Sequence, residues 1–261
     1  MANLKVGTKA FVRSYRQRTR RVEGLARRFS DSPSPEEVHD LRVAARRAQV
    51  LFRLLPKELR KSKSSEEFAV AIASLLANTS RIRDLDTLTL TLEQPGEDLP
   101  AELFRTLSRE RTVSLGRARR AVALASEASP PAVDGELDGK RISRRLRRRV
   151  KRRREAIAGL LPVVLNDESK VKELHSLRRE AKKLRYLLEL ADSPPPELGE
   201  LARWQEALGS VHDLDVAVEY LGHARLAPPV KAVARLRRER NEAYVRFKKG
   251  CKPGRGFTSS A

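Results

Sequence analysis

Two stretches of the chain carry an imidazole followed at helical spacing by guanidinium and ammonium groups. The first is His39-Asp40-Leu41-Arg42-Val43-Ala44-Ala45-Arg46-Arg47, and the second is His175-Ser176-Leu177-Arg178-Arg179-Glu180-Ala181-Lys182-Lys183. With His39 as zero and 100° per residue, Arg42, Arg46, Gln49 and Arg53 fall at about 300°, 340°, 280° and 320°. Leu41, Ala44, Ala45, Ala48, Leu51, Phe52 and Leu55 take the opposite arc, about 120–240°. Arg178, Lys182 and Arg185 repeat the basic phase from His175, and Leu177, Ala181, Leu184, Leu187 and Leu188 repeat the apolar one. Glu189 stands where Arg53 stands. Such a stripe sets one cation roughly every 5.4 Å along a rigid rod, which suits a linear array of phosphates.

Two further helices add bases. Arg13, Arg16, Arg20 and Arg27 recur at intervals of three, four and seven. Between Arg141 and Arg154, Arg145, Arg148 and Arg152 lie off the apolar seam of Ile142, Leu146 and Val150. If basic helices from two halves face a common cleft, their charges repel, and a bound anion removes that penalty. The competing reading is a solvated, ion-paired helix surface.

Downstream of each histidine-led stretch comes a carboxylate pair, Arg83-Asp84-Leu85-Asp86 and His212-Asp213-Leu214-Asp215. Helical residues two apart point about 200° from each other, so one pair cannot chelate a metal from a regular helix. The preferred role is to hold arginine forks in place through charge-assisted hydrogen bonds; a metal would need both halves or a broken turn. His39 and His175 either donate to phosphate or are satisfied within the protein near a helix start. His223 has no motif partner. Neither a His-x3-His pair nor a cysteine cluster is present, so no metal site or cofactor is expected.

The elements that must position these groups are all helical, because apolar residues recur at helical spacing throughout and no period-2 strand stands out. Helices are predicted over 5–28, 35–56, 64–92, 98–128, 138–161, 169–191, 196–222 and 228–248. Ser30 to Pro35, Pro95-Gly96, Ser129-Pro130-Pro131 and Ser193 to Pro196 punctuate them. The Pro130-Pro131 break divides the helices four and four: residues 1–130 form a first half, 131–249 a second, and 250–261, with Pro253, Gly254 and Gly256, a tail. The halves match in order. Val22-Glu23-Gly24 answers Ile157-Ala158-Gly159 at an offset of 135, the histidine stretches match at 136, and the Asp-Leu-Asp segments at 129. The seven-residue change is assigned to a shorter connection between the second and third helices of the latter half. Phe68 and Trp204 are read as core.

Composition agrees with this. Lys+Arg number 55 against 34 Asp+Glu, a formal excess of +21, and 40% hydrophobic residues can fill a core beneath that charge. The excess calls for a polyanion. Aromatics at 5% argue against serial base stacking on single-stranded nucleic acid. The lone Cys251 excludes an internal disulfide framework. No apolar run reaches the length of a membrane span or a secretion signal, so a cytoplasmic, unexported chain is expected.

These paired motifs resemble the CHAD family, the conserved histidine α-helical domain, over about residues 5–248. The resemblance implies an all-α fold of two four-helix bundles related by pseudo-twofold symmetry, forming one compact domain with a basic central cavity that binds inorganic polyphosphate. It also implies association with polyphosphate granules and no catalysis by the domain. Carried over by motif, the binding residues are His39, Arg42, Arg46 and Arg47 in one half and His175, Arg178, Lys182, Lys183 and Arg185 in the other, and Arg179 is added to the binding set beside them. Arg81, Arg83, Asp84 and Asp86 match the next segment, as do His212, Asp213 and Asp215. Arg13, Arg16, Arg20, Arg53, Arg145, Arg148 and Arg152 join the polyphosphate-binding set from the helix projections, with Asp84, Asp86, Asp213 and Asp215 as supporting carboxylates. Nonspecific nucleic-acid binding is the second reading, with nucleic acid as a secondary polyanion, although neither a helix-turn-helix nor a zinc finger is evident. Metal-assisted phosphohydrolysis ranks lower: there is no Gly-x4-Gly-Lys-Ser/Thr loop, and no Glu-x-Glu-x-Lys pattern of the triphosphatase domain that accompanies CHAD domains.

Overall fold

The first basic helix begins where its chemistry demands. The Ser34 hydroxyl accepts from the Glu37 amide (3.2 Å), the Glu37 carboxylate accepts from the Ser34 amide (2.7 Å), and Pro35 opens the helix. This reciprocal cap satisfies two donors that a helix start leaves unpaired, and proline loses nothing there. A computed structural model describes residues 4–93, 99–133, 137–193, 195–223 and 230–251. Among them every regular element is a helix: α1 Thr8–Arg27, α2 Pro35–Phe52, α3 Lys57–Arg60, α4 Lys63–Asn78, α5 Ser80–Leu92, α6 Ala101–Glu127, α7 Gly139–Asn166, α8 Val171–Leu188, α9 Glu197–His223 and α10 Val230–Gly250. None is long and apolar enough to cross a membrane. Pro95-Gly96, Pro194, residues 228–229 and the tail beyond Cys251 lie outside the described residues.

The chain divides into two compact units. One comprises Lys5–Leu90 with Pro100–Arg145, and the other is built mainly from Leu146 onward. In the first unit α1 packs on α2 and α6, and α4 packs on the same two helices, so four helices close a circuit around the core. Val38 at the start of α2, Ile82 on α5, and Leu115 and Ala118 on α6 form one buried cluster. In the second unit α9 packs against both α8 and α10. Trp204 on α9 meets Phe247 on α10 edge to face at 5.8 Å, and both are buried, as is Phe68 on α4.

The helix bounds carry the offsets seen in the motifs. α2 and α8 are each 18 residues long and begin 136 positions apart (171 − 35), while α6 and α10 begin 129 apart (230 − 101). The α2–α4 connection, which holds the single-turn α3, is 10 residues against 8 between α8 and α9, so it takes up two of the seven residues, and the other five lie between the start of the next helix and the Asp-Leu-Asp segment.

Two expectations are corrected. The helix expected over 64–92 is two helices, because α4 ends at Asn78 and Thr79 adopts φ −88°, ψ 0° before α5 begins. The helix expected to stop at 161 runs through Pro162 to Asn166. Proline there forfeits one backbone bond, and the last turn is held by the buried Val164 and by the Tyr244 hydroxyl, which donates to the Val164 carbonyl at 2.7 Å. Cys251 closes the end of α10, its amide donating to the Phe247 carbonyl at 3.2 Å. Burial pushes its thiol up to about 12.

Candidate functional site

In the second unit the motif histidines meet each other. His175 Nε2 lies 3.2 Å from Asp215 Oδ2 and 3.1 Å from His212 Nδ1, and the two rings stand edge to face at 4.3 Å between centroids. A carboxylate only accepts, so the proton resides on His175 Nε2, and His212 Nδ1 must then present its lone pair. Burial, then the nearby Arg178 and His175, push the His212 pKa down to about 4 against the opposing pull of Asp215. His212 is therefore neutral at pH 7. His175 Nε2 is thus engaged within the protein.

The cations of α8 divide into exposed and engaged groups. Arg179 is exposed and donates to the Ser176 hydroxyl at 3.1 Å. Arg178 and Lys182 are half-buried. Lys183 pairs with Glu180 at 2.7 Å. Arg185 departs from the expected stripe: it donates to Gln205 of α9 (2.7 Å) and to Glu189 (2.6 Å), and its guanidinium lies 5.1 Å over the Tyr186 ring. The acid one turn later, where the first half has Arg53, draws it down.

The first unit treats the same positions differently. Helix projection placed Arg42 on the open face, but the structure leaves it only 8% exposed. Its Nη1 donates to the Leu76 carbonyl and the Thr79 hydroxyl, each at 2.7 Å, and Nη2 reaches the Ser80 hydroxyl at 3.5 Å. The α4–α5 break supplies these acceptors, and the guanidinium fork fits them. Burial, together with Arg46 and Arg83 and against Asp84, pulls Arg42 down to about 10, so it keeps its charge at pH 7. His39, Arg46 and Arg53 are exposed, and Arg47 and Arg83 half-buried. Arg83 holds the place of His212, so the histidine pair of the second unit has no counterpart here. Arg81 pairs with Glu110.

On α1, Arg13, Arg16 and Arg20 are exposed, and Arg16 donates to the Val133 carbonyl at 3.0 Å. On α7, Arg148 and Arg152 are exposed, but Arg145 turns to the Leu54 and Leu55 carbonyls and covers the end of α2. Two neighbours in this run are committed to carboxylates, Arg153 to Glu180 and Arg154 to Glu197 through Nε at 3.1 Å and Nη2 at 2.6 Å.

The carboxylate pairs resolve residue by residue. Asp86 is 3% exposed, and its Oδ1 accepts from Arg111 Nε at 2.6 Å. Asp215 Oδ1 accepts from Arg240 Nε at 3.1 Å. Asp84 is exposed and Asp213 half-buried. Thus the second aspartate of each pair holds an arginine fork, though not one on the basic stripe. Sequence reasoning missed Arg111 and Arg240. Their signal was the repeated tripeptide Arg109-Glu110-Arg111 and Arg238-Glu239-Arg240, at the offset of 129 already set by the aspartates. Among the described residues no group of three or more His, Cys, Asp or Glu is placed to hold a metal ion.

The CHAD domain family model matches residues 10–221. The CHAD domain of the plant Ricinus communis superposes with a TM-score of 0.61 at 20% identity, over 96% of this chain and 93% of that one. PptA from Streptomyces chartreusis superposes with a TM-score of 0.57 at 18% identity, over 94% and 99%. At such identities the likeness is one of fold. No curated protein matches the sequence. With the match spanning most of the chain and the histidine-led helices lying inside it, this chain belongs to the CHAD domain family.

Proposed function

We propose that the chain binds inorganic polyphosphate through the basic faces of α2 and α8. One observation carries the reading: two helices of equal length, 136 positions apart, hold cations in the same phase, and the whole chain carries +21. Family membership supports the choice of polyphosphate over other polyanions. The exposed members, His39, Arg46 and Arg53 on α2 and Arg179 on α8, are the first contacts, with Arg178 and Lys182 behind them. Guanidinium forks and ammonium point charges suffice for phosphate oxygens. Such a site needs no nucleophile, so the reading is of a binder and not an enzyme, associated with polyphosphate granules in the cytoplasm.

The test is competition at fixed salt among long polyphosphate, short polyphosphate, duplex DNA and RNA at equal phosphate concentration. Long polyphosphate should displace the others, and Arg46→Glu with Arg178→Glu should weaken it at least tenfold. Better displacement by nucleic acid would reverse the ranking, and unchanged affinity in the double variant would remove these helices from the site.

A further inference from the structure

The two arginines outside the basic stripes share more than an aspartate. Arg111 gives Nε to Asp86 and Nη2 to the Pro33 carbonyl, each at 2.6 Å. Arg240 gives Nε to Asp215 at 3.1 Å and Nη2 to the Glu168 carbonyl at 2.8 Å, with Nη1 on the Glu168 carboxylate at 2.9 Å. Pro33 immediately precedes Ser34, the cap of α2, and Glu168 lies two residues before Lys170, the cap of α8. Arginine pair and aspartate pair alike are 129 apart (240 − 111 and 215 − 86). In both units, then, one guanidinium joins the last aspartate of the Asp-Leu-Asp motif to the chain entering the histidine-led helix. It uses separate nitrogens of a rigid planar fork, which the single ammonium of a lysine cannot reproduce.

We infer that Arg111 and Arg240 are positioning residues for anion binding: each sets where its basic helix begins, and so where that helix aims the cations that follow His39 or His175. This rests on the polyphosphate reading above. Both histidines stand five positions past their caps, about one and a half turns on, so a shift at the start is carried into the stripe. The packing is suited to transmit it, because Val38 of α2 is buried against Ile82 and Leu115, on the helices that carry Asp86 and Arg111. The two starts differ in need. α2 has its reciprocal cap, whereas Lys170 gives α8 no side-chain cap, so Arg240 carries the larger share. Neither arginine is well exposed, and both act through the helices they fix.

Arg111→Lys and Arg240→Lys keep the charge and remove the fork, which separates positioning from contact. Long-polyphosphate affinity is measured from low to high salt alongside amide exchange at Val38 and Leu174, whose amides bond back to Ser34 and Lys170 at 3.1 and 2.9 Å. The expected result is faster exchange at those amides, affinity lowered about three- to tenfold with the larger loss in Arg240→Lys, and an unchanged slope of log K against log salt. Direct phosphate contacts would instead shed about one unit of slope. Faster exchange with undiminished affinity would overturn the inference, as would a reduced slope. Should wild-type protein fail to bind polyphosphate, the functional reading falls, and exchange alone decides whether the arginines set the helix starts; unaltered exchange would end that claim too. Asp86→Asn and Asp215→Asn, which weaken the same forks from the other side, provide the readout if a lysine variant does not fold.

Discussion

Arg42 and Thr79 meet at 2.7 Å across a helix break that sequence pattern gave no reason to expect. At the position 129 residues further on stands Leu208, inside the uninterrupted α9. The break and the buried guanidinium explain each other: Thr79 bonds back to Leu75 through its hydroxyl at 2.7 Å, and the freed acceptors solvate a cation that would otherwise be costly to bury.

Thr79→Val should therefore cost about 1–3 kcal/mol, the usual range for stranding a buried donor. Urea unfolding measures it. Polyphosphate affinity should change less than threefold, since Arg42 points into the protein; a larger affinity loss than stability loss would restore Arg42 to the anion face.

His212 predicts an acid-sensitive fold. Its folded pKa of about 4 lies below the ordinary imidazole value of 6.5, so between those values the unfolded chain binds a proton that the folded chain refuses. Stability contributed by keeping His212 neutral is complete above pH 6.5, falls as pH drops toward 4, and changes no further below that. Allowing for solvent screening, about 2 kcal/mol is at stake. His212→Asn, whose amide oxygen can still accept from His175, should flatten the difference curve across this window in unfolding experiments from pH 7.5 to 4.5. Parallel curves for the two proteins would contradict the assignment.

Ser34→Ala should cost about 1 kcal/mol by removing one arm of the reciprocal cap. Circular dichroism melts would register this as a small shift, with Arg111 still holding the Pro33 carbonyl.

Trp204→Ala should be the most damaging of these substitutions, about 3–5 kcal/mol, because the ring is buried and packs edge to face on Phe247. A loss below 1 kcal/mol would mean that this part of the core collapses around the gap.

Much of the framework was readable from residue spacing. The helical class and the places of the two histidine-led helices, α2 and α8, follow from apolar periodicity and matched motifs, which are local properties. The misses share a physical origin in partners far along the chain. Thr79-Ser80 contains no glycine or proline, so only Arg42 reveals why a helix stops there. Pro162 looked terminal because the support from Tyr244 is 82 residues away (244 − 162). An angular projection sorts side chains by type but does not register acceptors on a neighbouring helix. It therefore set Arg42, Arg145 and Arg185 with the exposed cations, although carbonyls, hydroxyls, an amide and a carboxylate hold them. Asp86 and Asp215 were read as supports, and the arginines they support became identifiable once the 129-residue offset was carried into α6 and α10.

α9 is a single helix of 27 residues, about 40 Å of continuous backbone ladder. A rod of that kind resists bending along its whole length. The corresponding stretch of the first half is interrupted at Thr79, where Arg42 bonds to the Leu76 carbonyl and the Thr79 hydroxyl. The protein thus holds one uninterrupted arm and one jointed arm, and a single guanidinium spans the joint.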